Sequence, residues 1–304
     1  MKAVDVVIPV YNDNPYLGET LKSIFIQQLP SGWAVNVYVV DDGSDEPVRI
    51  YDEDIEDISI VRLDENKGAS VARNTGAMAG GGEAVLFLDA DCSMKHEQVL
   101  ALLLEQFEND FDVCFGQIDV EGNDFWAKYQ RDVAKHRAQS FIAGDKASMS
   151  TAIFMVKRKL FEAVGGFDEA YHFGFEDRDL FFTLIKSGAR IGLEDEALVL
   201  HNDSLSLWSV TKKSYGAGKN SSTRFIQKHP EEYKRMSYAK ADVRYSNDCW
   251  TLLWFVTRPV LWVLIGMSDW GIKKEILPYA LAKKVLKIVT GLAYLNGTAV
   301  AVKR

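Results

Sequence analysis

Asp89-Ala90-Asp91 sets two carboxylates one residue apart, directly after the apolar run Ala84–Leu88. Carboxylates so placed can hold Mg²⁺ or Mn²⁺, hard ions that keep open positions for phosphate oxygens. The other reading is an acidic turn that ends a strand. Asp41-Asp42-Gly43-Ser44 has the same two-sided character. Its Asp42 either caps a helix beginning near Asp45 or accepts a hydrogen bond from a nucleobase N–H, as uracil offers. Tyr11, in Pro9-Val10-Tyr11-Asn12, can lay a ring face against the same base. Arg73 is the natural cation for such a pocket, or else a solvated helix charge. Farther along, Glu176-Asp177-Arg178-Asp179 follows Gly165-Gly166-Phe167-Asp168-Glu169. Glycines and aromatics ahead of an acidic helix start suit a loop that walls a cleft, but acids favour helix N-termini on electrostatic grounds alone. His201 ends the strand-like Ala197–Leu200, where a single histidine is either structural or a ligand.

These residues need elements to position them. Val4–Val10, Val35–Val40, Ser59–Leu63 and Ala84–Leu88 read as strands. Pro15–Gln28, Ala69–Ala79 and Glu97–Phe107 read as helices between or after them. Ala69–Ala79 is rich in small residues and can pack closely on a sheet. Such alternation predicts an α/β fold with a mainly parallel sheet flanked by helices. In an open sheet of this kind ligands bind at the carboxyl ends of the strands, which is where Tyr11, Asp42, Asp89 and Asp91 fall. Val113–Val120, Ala152–Val156 and Ala197–Leu200 read as further strands, with helices over Phe125–Gln139 and Asp177–Lys186. Residues 206–304 read as all-helical, so the expected organisation is a catalytic domain over 1–205 and a C-terminal helical extension over 206–304.

Charge divides along the same line. The net charge of −8 argues against sequence-independent binding to nucleic acid, but residues 1–205 carry −19 and residues 206–304 carry +11. The three cysteines, Cys92, Cys114 and Cys249, are dispersed, which fits a reducing cytosolic compartment. Ala3–Val10 is strand-like rather than a secretory leader. In the basic part, Trp250–Met267 holds Trp250, Trp254, Phe255 and Trp262 around Arg258-Pro259. A central Arg-Pro makes this a poor spanning helix. Leu277, Leu281, Val285, Ile288 and Leu292 then recur at helical spacing, with Lys283, Lys284 and Lys287 on other faces. Basic amphipathic helices with aromatic neighbours suit an anionic membrane interface; the alternatives are a packed helical subdomain or a dimer surface. No Gly-x-Gly-x-x-Gly follows the first strand and no Gly-Lys-Ser/Thr loop occurs, which disfavours dinucleotide oxidoreductases and P-loop NTPases.

Residues 3–205 resemble glycosyltransferase family 2, the inverting enzymes of the GT-A (Rossmann-like) fold. The resemblance rests on Ile8-Pro9-Val10-Tyr11-Asn12, Val40-Asp41-Asp42-Gly43-Ser44, Asn66-Lys67-Gly68 with Ala72-Arg73-Asn74, Leu88-Asp89-Ala90-Asp91, Gly166-Phe167-Asp168-Glu169, and Glu176-Asp177-Arg178-Asp179-Leu180, in the family's order. It implies that Pro9, Tyr11, Asp42 and Arg73 border the nucleotide, with Asp42 on the base. Asp89 would lie near the ribose and the metal shell, Asp91 would bind Mn²⁺ or Mg²⁺, and His201 would complete the metal site. Asp177 matches the catalytic base and Glu176 an acceptor contact. The implied donor is a nucleotide sugar carrying UDP. The expected acceptor is a glycan or polyprenyl-linked saccharide, and the basic C-terminal helices and dispersed cysteines place the expected encounter at the cytoplasmic face of a membrane. Two other readings remain at this level: a nucleotidyltransferase on a similar α/β rim, and a non-catalytic sugar-nucleotide-binding scaffold.

Overall fold

The computed structural model describes residues 1–304 except 13–14, 51–56, 110, 146–147, 172, 204, 246–255, 257–258 and 303–304. Cys249, Trp250, Trp254, Phe255 and Arg258 of the sequence reading therefore lie outside the described residues. The chain forms two compact units. One comprises Met1–Gly122, Gln130–Ala170 and Leu180–Asp203; the other comprises Asn123–Tyr129, Tyr171–Asp179 and Ser204–Arg304.

The strands of the first unit are β1 (Lys2–Val10), β2 (Trp33–Asp41), β3 (Ile58–Arg62), β4 (Ala84–Leu88), β5 (Cys92–Met94), β6 (Val113–Asp119), β7 (Ile153–Lys157) and β8 (Ile191–His201). They form one sheet in the order β3-β2-β1-β4-β7-β6-β8-β5. The expected parallel pairing runs across β3-β2-β1-β4. Beyond β4 the sheet is mixed: β7 is antiparallel to both β4 and β6, β6 and β8 are parallel, and β5 is antiparallel to β8. At three residues, β5 is too short to show an alternation in sequence.

The central strands β1 and β4 are buried on both faces, and period-two alternation sends successive side chains to opposite sides. Val4, Val6, Ile8 and Val10 of β1, with Leu86 and Leu88 of β4, join one core. Helices α1 (Leu17–Phe25) and α3 (Val99–Glu108) cover it through Leu17, Leu21, Ile24, Leu100, Leu103 and Phe107. Val7, Val85 and Phe87 join the other, with Ala72 and Ala77 of α2 (Ala69–Ala79). Phe141 from α4 (Phe125–Ile142), Phe161 from α5 (Arg158–Ala163) and Phe181 from α6 (Glu176–Lys186) complete that side. The small residues of α2 earn their place: a Cβ on Gly76 would come within 2.3 Å of Val7 Cγ1. Asp5, the polar break in β1, is fully buried. It accepts hydrogen bonds from Arg158 Nη2 (2.6 Å), Asn36 Nδ2 (2.7 Å) and the Gly82 N–H (2.7 Å), so its desolvation is compensated.

The second unit is helical. Ser206 opens α7 (Leu207–Gly216) with a reciprocal capping box to Ser209. A π-turn over Ala217–Ser221 leads into α8 (Ser222–Lys228) and α9 (Pro230–Arg235). Its core combines Phe125, Leu207, Leu261, Ile265, Leu286, Leu292 and Leu295. The C-terminal helix Tyr279–Val302 approaches α7 closely: a Cβ on Gly297 would lie 2.3 Å from the Tyr215 carbonyl oxygen.

Candidate active site

The carboxyl ends of β1 and β2 are tied together by backbone groups and short side chains. The Asn12 N–H donates to Ser44 Oγ at 2.7 Å, and Asn12 Oδ1 accepts from the Asp45 N–H at 3.1 Å. Asp41 accepts from the Ser44 N–H (2.9 Å), the Val48 N–H (3.1 Å) and Arg62 Nη1 (2.9 Å). Burial opposes ionisation of Asp41, but the Ser44 and Val48 hydrogen bonds and Arg62 hold its carboxyl below the usual range. Asp41 is thus the structural member of the pair.

Asp42 is 3% exposed, and its two oxygens accept the N–H groups of Lys67 (2.8 Å) and Gly68 (2.9 Å). Burial raises its pKa, those two donors moderate the rise, and Asp41 adds to it. Each oxygen has a second lone pair, so a base N–H can still be accepted. The same bonds seat the loop that opens α2. Gly43, at φ +67°, is required here because a Cβ would sit 2.2 Å from the Glu65 carbonyl carbon. Tyr11 is half exposed beside this loop, and Pro9 lies opposite Val40 in the β1–β2 register.

Arg73, on α2, is buried and reaches Asp89 Oδ1 through Nη2 at 2.8 Å, with its guanidinium 5.3 Å from the Phe167 ring centroid. Its Nε is buried without a hydrogen-bond partner in the structure, so donor capacity remains. The next residue fixes the glycine-aromatic loop. Asn74 bonds Phe167 in both directions (2.8 and 2.9 Å) and donates to Glu169 Oε1 at 3.0 Å. Asn74 and Glu169 were visible only as letters in the motif strings; their pairing across 95 residues was not.

Asp91 and His201 meet because β5 pairs with β8, placing Cys92 opposite His201. His201 Nε2 lies 3.4 Å from Asp91 Oδ1, and His201 Nδ1 lies 3.2 Å from Gln130 Oε1. A bond from Nδ1–H to Gln130 leaves Nε2 as the atom facing the carboxylate. Burial disfavours the imidazolium, but Asp91 first, then Asp89 and Asp203, raise its pKa overall. Among the described residues, the ligand atoms of Asp91, Cys92 and His201 lie within 4.8 Å of one another. Cys92 is fully buried and its thiol is pushed well above its ordinary pKa, by burial first. Sulfur is a soft donor, poorly matched to a hard cation, so a carboxylate oxygen and an imidazole nitrogen are the suited donors. That set fits Mn²⁺ or Mg²⁺. Asp89 is turned toward Arg73.

The family profile described as glycosyl transferase family 2 matches residues 5–165. The chain belongs to that family. A pre-mycofactocin glycosyltransferase of Mycobacterium tuberculosis is 31% identical over 241 residues, 75% of this chain and 48% of that protein. A poly(ribitol-phosphate) beta-N-acetylglucosaminyltransferase of Staphylococcus aureus is 33% identical over 127 residues, 40% of this chain and 38% of that protein. The chain thus spans less than half the length of either relative. Among solved structures, a mannosyltransferase from Pyrobaculum calidifontis in complex with GDP-Man and Mn²⁺ aligns with a TM-score of 0.59 at 19% identity. That alignment covers 98% of this chain and 86% of the other, a likeness of fold.

In this family 2 chain, Pro9, Tyr11, Asp42, Arg73, Asp89 and Asp91 lie within the matched segment, and His201 joins them in the same unit. Glu176 and Asp177 lie past it, in the second unit, at the start of α6. Asp177 is half buried, and its Oδ1 accepts from the Arg178 N–H at 2.7 Å. Phe175, just before them, adopts φ +72°. A left-handed conformation costs an L-residue about 1–2 kcal/mol. Ring contacts with Phe225 (4.7 Å), Tyr238 (5.2 Å), Tyr233 (6.2 Å) and Tyr294 (6.4 Å) offset it, at about 0.5–1.5 kcal/mol for a well-placed pair. Periodicity gave no hint of that strained residue.

Proposed function

We propose that the chain is an inverting glycosyltransferase that moves a sugar from a nucleotide-sugar donor, favouring UDP, onto a glycan or lipid-linked saccharide. The observation that carries this reading is the set formed by Asp42 after β2, Asp89 and Asp91 after β4, Arg73 of α2 paired with Asp89, and His201 at the end of β8 paired with Asp91. Family membership supports it.

In this reading Tyr11 and Asp42 receive the base, and Arg73 holds the Asp89 carboxylate at the ribose side. Asp91 and His201 would hold a divalent cation, which when bound supplies Lewis-acid stabilisation to the diphosphate leaving group. Asp177 accepts the proton of the acceptor hydroxyl as its oxygen bonds to the anomeric carbon. The bond from that carbon to the diphosphate oxygen breaks on the opposite face, so the configuration inverts without a covalent enzyme intermediate. Glu176 orients the acceptor. The test is a screen of UDP-, GDP- and dTDP-sugars for nucleoside diphosphate release with Mn²⁺ or Mg²⁺. Release from a UDP-sugar that stops with chelator and returns with metal is expected. No turnover of any donor, or release of pyrophosphate instead, would count against the reading.

The proposal extends to location: residues 1–205 carry the donor chemistry, and residues 206–304 bring the enzyme to the cytoplasmic face of an anionic membrane. On the helix Leu261–Lys273, Leu261, Ile265 and Ile272 are buried. Val260, Val263, Met267 and Trp270 form an exposed stripe at helical spacing, continued by Lys273 and Lys274. An apolar stripe of this size with flanking lysines suits an interfacial helix. The C-terminal helix Tyr279–Val302 is long and apolar enough to cross a bilayer by length and composition, yet 56% of its apolar window is buried within the protein. Co-sedimentation with phosphatidylglycerol vesicles should be lost in V263S/M267S/W270S, and weakened by high salt. Equal sedimentation of that variant and the parent would remove the assignment.

A further inference from the structure

Asp179, the last acid of the run Glu176-Asp177-Arg178-Asp179, has no task in the reaction above, although it is the most deeply buried of the three acids. It is 3% exposed. Lys228 Nζ donates to its Oδ2 at 2.6 Å, His229 Nε2 lies 2.9 Å from its Oδ1, and Tyr171 Oη donates to it at 3.3 Å. Lys228 and His229 owe their placement to a break between helices: α8 ends at Lys228, His229 leaves the helical region at φ −135° and ψ 58°, and Pro230 begins α9. Helical geometry turns about 100° per residue, so side chains two apart lie on roughly opposite sides of the axis. Anchoring Asp179 therefore sets the rotation of the turn that carries Asp177.

The approach to that turn is held as firmly. Gly174 takes φ +81°, and a Cβ there would lie 2.9 Å from Ala217 Cβ. Phe175 follows with φ +72°, buried against Phe225 and Tyr238. Ser221 Oγ donates to the Phe173 carbonyl at 2.6 Å. Each of these partners, like Lys228 and His229, comes from the segment after residue 206. We propose that Asp179, clamped by Lys228 and His229, is a positioning residue for Asp177, and that residues 217–238 act as the jig that aims the general base. The proposal rests on the reading of Asp177 as that base.

The experiment compares H229A, H229Q, D179N and D177N in the full chain. It reads thermal midpoint, UDP affinity with Mn²⁺, and kcat and KM for release of nucleoside diphosphate from the donor found in the screen. A misaimed catalytic group costs roughly 10²-fold in rate, so H229A and D179N should lose about that much kcat. UDP affinity and donor KM should stay within about twofold, because the proposed donor residues are elsewhere in the chain. H229Q, whose amide can still donate to Asp179, should recover much of the rate. Wild-type kcat in a folded H229A or D179N overturns the proposal. So does a loss that tracks the thermal midpoint and UDP affinity without recovery by glutamine. The outcomes separate the two readings: full turnover by D177N sinks the base assignment and this proposal with it, whereas an inactive D177N beside a fully active H229A sinks the positioning role alone.

Discussion

Asp177→Asn should lower kcat by roughly 10²–10⁴-fold, the range that general-base catalysis contributes, while leaving UDP affinity in Mn²⁺ unchanged. The exchange keeps size and one hydrogen-bond acceptor. It removes the negative charge and with it the ability to take a proton. Asp177 Oδ1 accepts the Arg178 N–H at 2.7 Å, a bond an asparagine oxygen can keep. The first turn of α6 should therefore survive, and Phe175 and Asp179 continue to anchor it. The measurement is a steady-state titration of donor alongside calorimetric titration of UDP. A kcat within a factor of three of the parent would remove Asp177 from the mechanism.

Asp91→Asn should be the second large effect. The carboxylate supplies the negative charge in the pair with His201, and Asp89 is engaged by Arg73. A neutral amide oxygen is a far weaker donor to a hard cation. Turnover at fixed Mn²⁺ should fall by about 10²-fold or more, with part recovered at higher metal concentration, since removing one electrostatic stabiliser of developing charge costs on this scale. His201→Ala should fall less, because it removes a neutral ligand. Metal titrations of the three proteins check the order. An Asp91→Asn enzyme with parental metal dependence would place the cation elsewhere.

The donor-side residues were legible because each follows a strand, and strand ends are marked in sequence by an apolar run that stops. Val4–Val10 and Ala84–Leu88 announce buried parallel strands, so Tyr11, Asp89 and Asp91 had to emerge at one rim. Asp42 was legible in the same way, but its partners were not. The N–H groups of Lys67 and Gly68 reach it from 25 and 26 residues away, after β3 has crossed the sheet. Likewise, nothing local announces that three residues, Cys92–Met94, form the strand that brings Asp91 to His201.

What the order of residues determined by itself is chemistry tied to short range: strand alternation, the small residues of α2 and the acidic turns at strand ends. These follow from backbone period and steric size, which act between neighbours. Only the tertiary structure decided which buried charge meets which counterpart. Asp41 was assigned to Arg62, Arg73 to Asp89, and Asp179 to Lys228 and His229. The reason is that a charge can be taken out of water only where a partner arrives with suitable geometry, and that arrival depends on how distant segments pack.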